Sequence, residues 1–107
     1  MDEYVVVLTS TDSEEEARRI ATHLVDRRLV ACAKVAGPML SSYWWHDKVE
    51  TASEWQCWAK TRRDRYEQTE RAIREMHSYE VPEILALPVL AGSTPYLRWI
   101  DDSVGGG

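Results

Sequence analysis

Several residue types and motifs are scarce or missing in this chain of 107 residues, and their absence excludes whole classes of protein. Only five glycines are present, and three of them are the last residues. The glycine-rich loops that hold nucleotide phosphates, G-x-x-x-x-G-K and G-x-G-x-x-G, are therefore absent, as is the G-x-S-x-G turn of serine hydrolases. The two cysteines, Cys32 and Cys57, form no C-x-x-C motif, which excludes a four-cysteine zinc site within one chain.

Positive charge is also scarce. Thirteen lysines and arginines stand against eighteen aspartates and glutamates, which gives a net charge of −5. Nucleic-acid backbones select for clustered lysine and arginine, so we expect no nucleic-acid partner. The sequence contains no phenylalanine, which argues further against an RNA-recognition module with its aromatic strand motifs.

Long apolar runs are missing as well. No run approaches the ~20 residues needed to cross a bilayer, so we expect no membrane-spanning segment. The first residues, "MDEYVVVLTS", are acidic and their apolar run is short, which is not typical of a secretory signal. Without export, the two cysteines are expected to be reduced thiols. The sequence therefore predicts a cytoplasmic protein.

The hydrophobic pattern predicts one α+β domain with the element order β-α-β-β-α-β. "YVVVL" is typical of a buried strand, and Ser13 followed by Glu16 is a capping box at the start of an amphipathic helix. This order is the split βαβ, or ferredoxin-like, arrangement, with both helices on one face of a sheet. We expect a single domain over residues 1–102 and a flexible tail over 103–107. The predicted elements are a strand at 4–8, a helix after Ser13, a long hairpin over 29–59 that turns near 46–48, a helix at 62–76, a strand at 81–90 and a short helix at 95–100.

Four of the five tryptophans lie on the two arms of the predicted hairpin. Alternation along residues 49–59 is typical of a half-buried strand, and Gly37-Pro38 predicts a bulge or bend in the first arm. Four indole rings on a protruding hairpin are difficult to bury within one small chain. Long unpaired strand edges also favour pairing with another copy. The pattern predicts a homo-oligomer.

The stretch "HSYEVPEI" contains the candidate metal ligands His77, Glu80 and Glu83. Their spacing resembles that of helical metal pairs, but Pro82 prevents a helix from continuing through them. In extended chain, His77, Tyr79 and Glu83 share one side and Glu80 lies on the other. The alternative is a structural one, because a histidine that ends a helix is stabilised by the helix dipole. Spacing alone favours that structural role.

A second candidate group consists of Tyr43, Lys48, Tyr79 and Glu83. Such side chains could act as acid, base and anion anchor if the fold brought them within ~3 Å of one another. The sequence does not show that they converge. Scattered surface polar residues are the simpler interpretation.

Taken together, "VVVLTSTDSEEEARRIATHLVDRRLVACAKV", "SYWWHDKVE", "HSYEVPEILALPV" and "YLRWI" resemble the CutA divalent-cation-tolerance family. The resemblance extends over residues 4–100. It implies a ferredoxin-like protomer that assembles as a tight trimer, with the hairpin arms joining neighbouring sheets. It also implies a likeness to the trimeric PII signalling proteins, which bind small ligands in clefts between subunits.

Bacterial members of this family are associated with copper and with tolerance of other divalent cations. At the positions of their copper ligands this chain has Thr9, Met76 and His77, so one ligand of three is retained. Threonine is a poor copper ligand, and methionine suits Cu(I) better than Cu(II). The resemblance therefore makes His77 the first candidate for a metal contact, with Glu80 and Glu83 as further candidates.

The family positions around the cleft between subunits match more completely, at Tyr43, Trp44, Lys48, Tyr79 and Glu83. The resemblance implies a trimeric divalent-cation-tolerance protein that responds to metal ions and binds copper or another divalent cation, without a catalytic cycle. One alternative is a PII-like sensor that binds a small anion in the cleft through Lys48. Another is a scaffold for a protein partner that the sequence does not identify.

Overall fold

The computed structural model describes residues 3–105. Its elements confirm the predicted α+β fold and its order, with one 3-10 turn added before the second helix. The elements are β1 (Tyr4–Thr11), α1 (Glu14–Asp26), β2 (Cys32–Trp45), β3 (Lys48–Arg62), the 3-10 turn (Arg63–Arg65), α2 (Tyr66–Met76), β4 (Ile84–Pro88) and α3 (Thr94–Ser103). The strands form one sheet in the order β2-β3-β1-β4, and every neighbouring pair is antiparallel.

The hydrophobic core lies between one face of the sheet and the first two helices. Val5 and Val7 of β1 both point to this face, because side chains two residues apart in a strand lie on the same side. They pack with Ile20 and Leu24 of α1 and with Ile73 of α2. Ile20, Leu24 and Ile73 are almost completely buried. Both predicted amphipathic helices thus cover one side of the sheet.

The predicted capping box at α1 forms only in part. Ser13 Oγ accepts a hydrogen bond from the backbone N–H of Glu16 at 3.2 Å, as expected of an N-cap residue. The Glu16 carboxylate, however, accepts the backbone N–H of Ser78 at 2.9 Å. In a complete capping box the Glu16 carboxylate would accept the backbone N–H of Ser13. Here it instead binds the segment that follows α2.

The β2–β3 hairpin extends beyond the rest of the sheet. Its turn is formed by His46 (φ 51°) and Asp47 (φ 64°), a pair of positive φ values typical of a tight hairpin turn. The register shifts between Ala36 and Met39, which confirms the predicted bulge at Gly37-Pro38. Strand β1 pairs with β3 only from Trp55 onward, so Val49, Thr51 and Ser53 lie outside the core. The half-buried strand predicted for 49–59 is thus buried only in its second part.

The C-terminal helix is longer than the sequence indicates. Ser103 belongs to α3, and Val104 is 1% exposed and packs with Ala31 and Ile100. Arg65 donates a hydrogen bond to the Val104 carbonyl at 2.7 Å. The predicted boundary at 102 therefore falls two residues too early, because Val104 completes a small second core; Gly106 and Gly107 lie outside the described residues. Between residues 3 and 105, no helix is long and apolar enough to cross a membrane.

Candidate functional site

An open cleft of about 710 Å³ lies between the β2 arm of the hairpin and the segment that joins α2 to β4. Ser10, at the end of β1, and Glu54 of β3 contribute to it from the sheet. Among the described residues that line it, three side chains are carboxylates and none belongs to lysine, arginine or histidine. The lining residues are Ser10, Ser41, Ser42, Tyr43, Trp44, Trp45, Glu54, Ser78, Tyr79, Glu80, Val81 and Glu83. Within one chain the cleft is thus acidic and aromatic.

Tyr79 and Glu54 join the two walls of the cleft. The Tyr79 hydroxyl donates to Glu54 Oε2 at 2.7 Å, and Glu54 as a whole is 8% exposed. Burial, followed by the hydrogen bond and the negative charge of Glu54, raises the pKa of Tyr79 above its ordinary value. The phenol therefore remains protonated at neutral pH and donates its hydrogen to a carboxylate that the fold has taken out of water.

Ser10 holds Glu83 at the other end of the cleft. The Ser10 hydroxyl donates to Glu83 Oε1 at 2.8 Å and accepts from the Gln56 amide at 3.4 Å. The Trp58 indole N–H in turn donates to Gln56 Oε1 at 2.9 Å. This chain of bonds crosses β3 and β1 and ends just before β4. It fixes the position of Glu83 relative to the sheet.

His77 lies behind the cleft wall, with its side chain completely buried. Its Nε2 bonds to the carbonyl of Ser10 at 2.8 Å, and Tyr79 N–H donates to its Nδ1 at 3.1 Å. These partners assign a neutral ring with the proton on Nε2. Both nitrogens are thus engaged by the backbone, and a metal could bind either of them only after that bond is broken.

The structure brings most of the predicted cleft residues together. Tyr43 and Trp44 line one side of the cleft, and Tyr79, Glu80 and Glu83 line the other. Lys48 does not line it: this residue is exposed, begins β3 and pairs with Trp45 at the hairpin turn. A single chain therefore lacks the predicted anion anchor in its cleft, and the PII-like sensor stays a prediction.

The copper positions implied by the family resemblance do not form a fitting metal site in this chain. Thr9 Oγ1 is buried and has no hydrogen-bond partner within residues 3–105, while Met76 packs against the hydrophobic core. Cys57 is the cross-strand neighbour of Thr9, but burial raises the pKa of its thiol to about 11, which opposes the thiolate that a metal needs. Over residues 3–105, no group of three or more His, Cys, Asp or Glu side chains could hold a metal ion.

Sequence reasoning missed Ser10, Glu54 and Glu16 as determinants of this site. Each bonds to a residue at least 25 positions away, so no local spacing indicates the contact. The sequence gives only a weak indication of Glu54, which is a carboxylate in a strand that also contains Trp55 and Trp58. In the structure this carboxylate is buried. Burial of a charge generally requires a partner or a function.

The fold and the site define a class of α+β protein with an acidic, aromatic cleft beside a long hairpin. The family model described as CutA1 divalent ion tolerance protein matches residues 5–103. The divalent-cation tolerance protein CutA of Archaeoglobus fulgidus is 37% identical to this chain, over 92% of this chain and 95% of the relative. CutA of Thermus thermophilus is also 37% identical, over 94% of this chain and 97% of the relative. The chain therefore belongs to the CutA1 divalent ion tolerance family.

Solved structures agree with this assignment. The CutA structure from A. fulgidus superposes with a TM-score of 0.91 at 36% identity, covering 94% of this chain and 98% of that one. CutA1 from the psychrotrophic bacterium Shewanella sp. SIB1 gives a TM-score of 0.92 at 34% identity, covering 95% of each chain. The fold of this chain is thus shared with relatives from an archaeon and a bacterium.

Proposed function

We propose that this protein is a homotrimeric divalent-cation-tolerance protein that binds cations in its acidic cleft and has no catalytic cycle. The observation that carries the proposal is the lining of the cleft, which combines Glu54, Glu80 and Glu83 with no basic side chain from residues 3–105. Carboxylate oxygens are ligands for hard divalent cations, and they also bind Cu(II). Family membership supports the same role.

The cleft carboxylates are better placed than His77 to contact a metal. Glu80 and Glu83 are exposed, whereas both ring nitrogens of His77 bond to the backbone. Residues 3–105 of one chain supply too few converging ligands for an ion. The trimer therefore has a specific role in the proposal, because a neighbouring chain, or water, completes the coordination. Copper binding stays a prediction, and we now place it on Glu80 and Glu83.

The trimer is supported by surface that one chain leaves uncovered. Leu40 is 77% exposed, Trp44 73% and Val49 61%, all on the hairpin arms. Exposed apolar side chains in such a group are typical of an interface with another protein. The cellular location stays a prediction as well: the A. fulgidus relative is described as periplasmic and a rice relative as chloroplastic, whereas the composition of this chain predicts the cytoplasm.

The test of this proposal is calorimetric titration of tag-free protein with Cu(II) and, separately, with Mg²⁺. We expect saturable binding that Glu83→Gln weakens by about tenfold, because the variant removes one charge and retains an acceptor for Ser10. Glu75→Gln on the exposed face of α2 is the matched control and should bind as the wild type does. Absence of heat above buffer with either metal, or equal affinity of the Glu83 variant, would contradict metal binding in the cleft.

A further inference from the structure

Glu54 is one of two buried carboxylates within residues 3–105, and the other is Glu16. Glu54 is more than nine-tenths buried, and a single hydrogen bond, from Tyr79 to Oε2, satisfies part of its carboxylate. Within residues 3–105 no side chain or backbone group bonds to Oε1, and that atom is not among the fully enclosed ones, so it opens onto the cleft. A buried carboxylate with one free oxygen favours a positively charged partner.

The three cleft carboxylates do not surround a common point. Glu54 rises from β3, Glu83 is held by Ser10 near the start of β4, and Glu80 lies on the connecting segment. They do not form a group able to hold a metal ion among the described residues. A compact ion needs its ligands within ~2.0–2.6 Å of a single centre. Carboxylates that are spread along a cleft match a ligand whose positive charges are also spread.

Aromatic side chains form much of the remaining lining. Tyr43, Trp44 and Trp45 stand on the hairpin side, and Tyr79 faces them from the other wall. Aromatic faces attract ammonium groups through their quadrupoles and also pack against methylene chains. A hydrated metal ion uses neither property, whereas an organic cation uses both.

We propose that the cleft binds a linear aliphatic polyammonium ion, with its ammonium groups on Glu54 and Glu83 and its methylene chain against the aromatic wall. The Oε1 of Glu54, which accepts no hydrogen bond from residues 3–105, accepts one ammonium group. The four serines in the lining, Ser10, Ser41, Ser42 and Ser78, offer hydroxyl oxygens to the remaining N–H groups. This inference goes beyond metal tolerance and does not depend on copper binding.

The experiment is calorimetric titration of the purified full chain with spermidine. Two probes run beside it: 1,8-octanediol, which has a similar methylene chain without charge, and Mg²⁺, which has charge without a chain. We expect saturable spermidine binding, no binding of the diol, and an affinity for spermidine above that for Mg²⁺. A spermidine isotherm that does not saturate, or an equal response to the diol, would overturn the proposal.

Variants separate a specific site from general attraction to an acidic protein. Glu54→Gln keeps an acceptor for Tyr79 and removes the buried charge, so we expect about a tenfold loss of spermidine affinity. Trp44→Leu, at a side chain that is 73% exposed in one chain, should weaken binding several-fold. Because Trp44 also belongs to the apolar surface proposed for the trimer, native mass spectrometry must give the wild-type stoichiometry for this variant before the affinities are compared. Glu75→Gln changes the net charge by the same amount as Glu54→Gln, at an exposed position on α2.

The variants and the copper titration together give distinct outcomes. If Glu75→Gln weakens spermidine binding as much as Glu54→Gln does, the attraction is nonspecific and the proposal fails. If Glu54→Gln does not fold, Trp44→Leu alone decides, and wild-type affinity in that variant also rejects the site. Spermidine binding without copper binding would support this inference and contradict the metal-binding proposal. Copper binding without spermidine binding would overturn this inference and support the metal-binding proposal.

Discussion

Residues 77–83 combine structural and exposed side chains within one short segment. His77 turns inward and bonds the backbone at the end of β1, while Tyr79 turns to Glu54 and Glu83 to Ser10. The sequence pattern marked His77 as both a candidate ligand and a helix end. Its geometry favours the structural role, since a neutral imidazole with two backbone partners is fully satisfied.

Replacement of His77 therefore tests its structural role directly. We expect His77→Ala to destabilise the protein by roughly 2–4 kcal/mol, because it leaves a cavity and two unpaired backbone groups, the Ser10 carbonyl and the Tyr79 N–H. Thermal unfolding at a fixed protein concentration measures the loss as a lower Tm. His23→Ala, at a half-buried position of α1, is the control and should lower stability much less than His77→Ala does. Equal Tm values for the two variants would remove the structural role.

At the scale of elements, the hairpin depends on its bulge in β2. The bulge shifts the register of β2 against β3 between residues 32–36 and residues 39–45, and both parts of β2 stay paired with β3. Gly37 has φ +155°, and a Cβ at this position would lie 2.6 Å from Trp55 Cδ1 and 3.0 Å from the Glu54 carbonyl. The Trp55 ring and the Glu54 backbone thus leave no room for a side chain at Gly37.

Gly37→Ala should consequently be much more harmful than an ordinary glycine substitution. We expect a loss of roughly 2–4 kcal/mol, from an unfavourable φ and from displacement of the Trp55 ring. Gly92→Ala serves as the comparison, because its Cβ would meet the movable end of Leu97 at 3.0 Å. Urea unfolding followed by tryptophan fluorescence provides the measurement. A Gly37 variant as stable as the Gly92 variant would show that the bulge tolerates a side chain.

The sequence was informative for elements and much less so for the cleft. Strand β1, the two amphipathic helices and the His46–Asp47 turn follow from short-range periodicity and turn chemistry, and the structure places them as expected. The family resemblance supplied Tyr43, Trp44, Tyr79 and Glu83, but not their contacts. Ser10 and Glu54 could not be predicted as cleft residues from the sequence. Their roles depend on the register of β3 against β1 and on hydrogen bonds to the segment between α2 and β4.

At the scale of the whole molecule, the face of the sheet opposite α1 and α2 is incompletely covered. Val5 and Val7 point into the core, so Val6 and Leu8 point to this second face together with their cross-strand neighbours. Helix α3 covers only one end, where Tyr96 meets Lys60. The remaining neighbours stay exposed in a single chain: Trp58 at 40%, Leu85 at 50% and Leu87 at 42%. An apolar sheet face of this kind favours burial against another copy.

A charge on this open face should therefore separate the proposed trimer into single chains. We expect Leu87→Lys to convert a native mass of three chains into one of 12.3 kDa, because each copy would bury an unpaired ammonium group. Val25→Lys is the matched control, since Val25 of α1 is 39% exposed but lies away from this face. Native mass spectrometry gives the stoichiometry, and circular dichroism shows whether the single chain stays folded. A Leu87 variant that remains trimeric would place the interface elsewhere, and a wild type that is already a single chain would contradict the assembly itself.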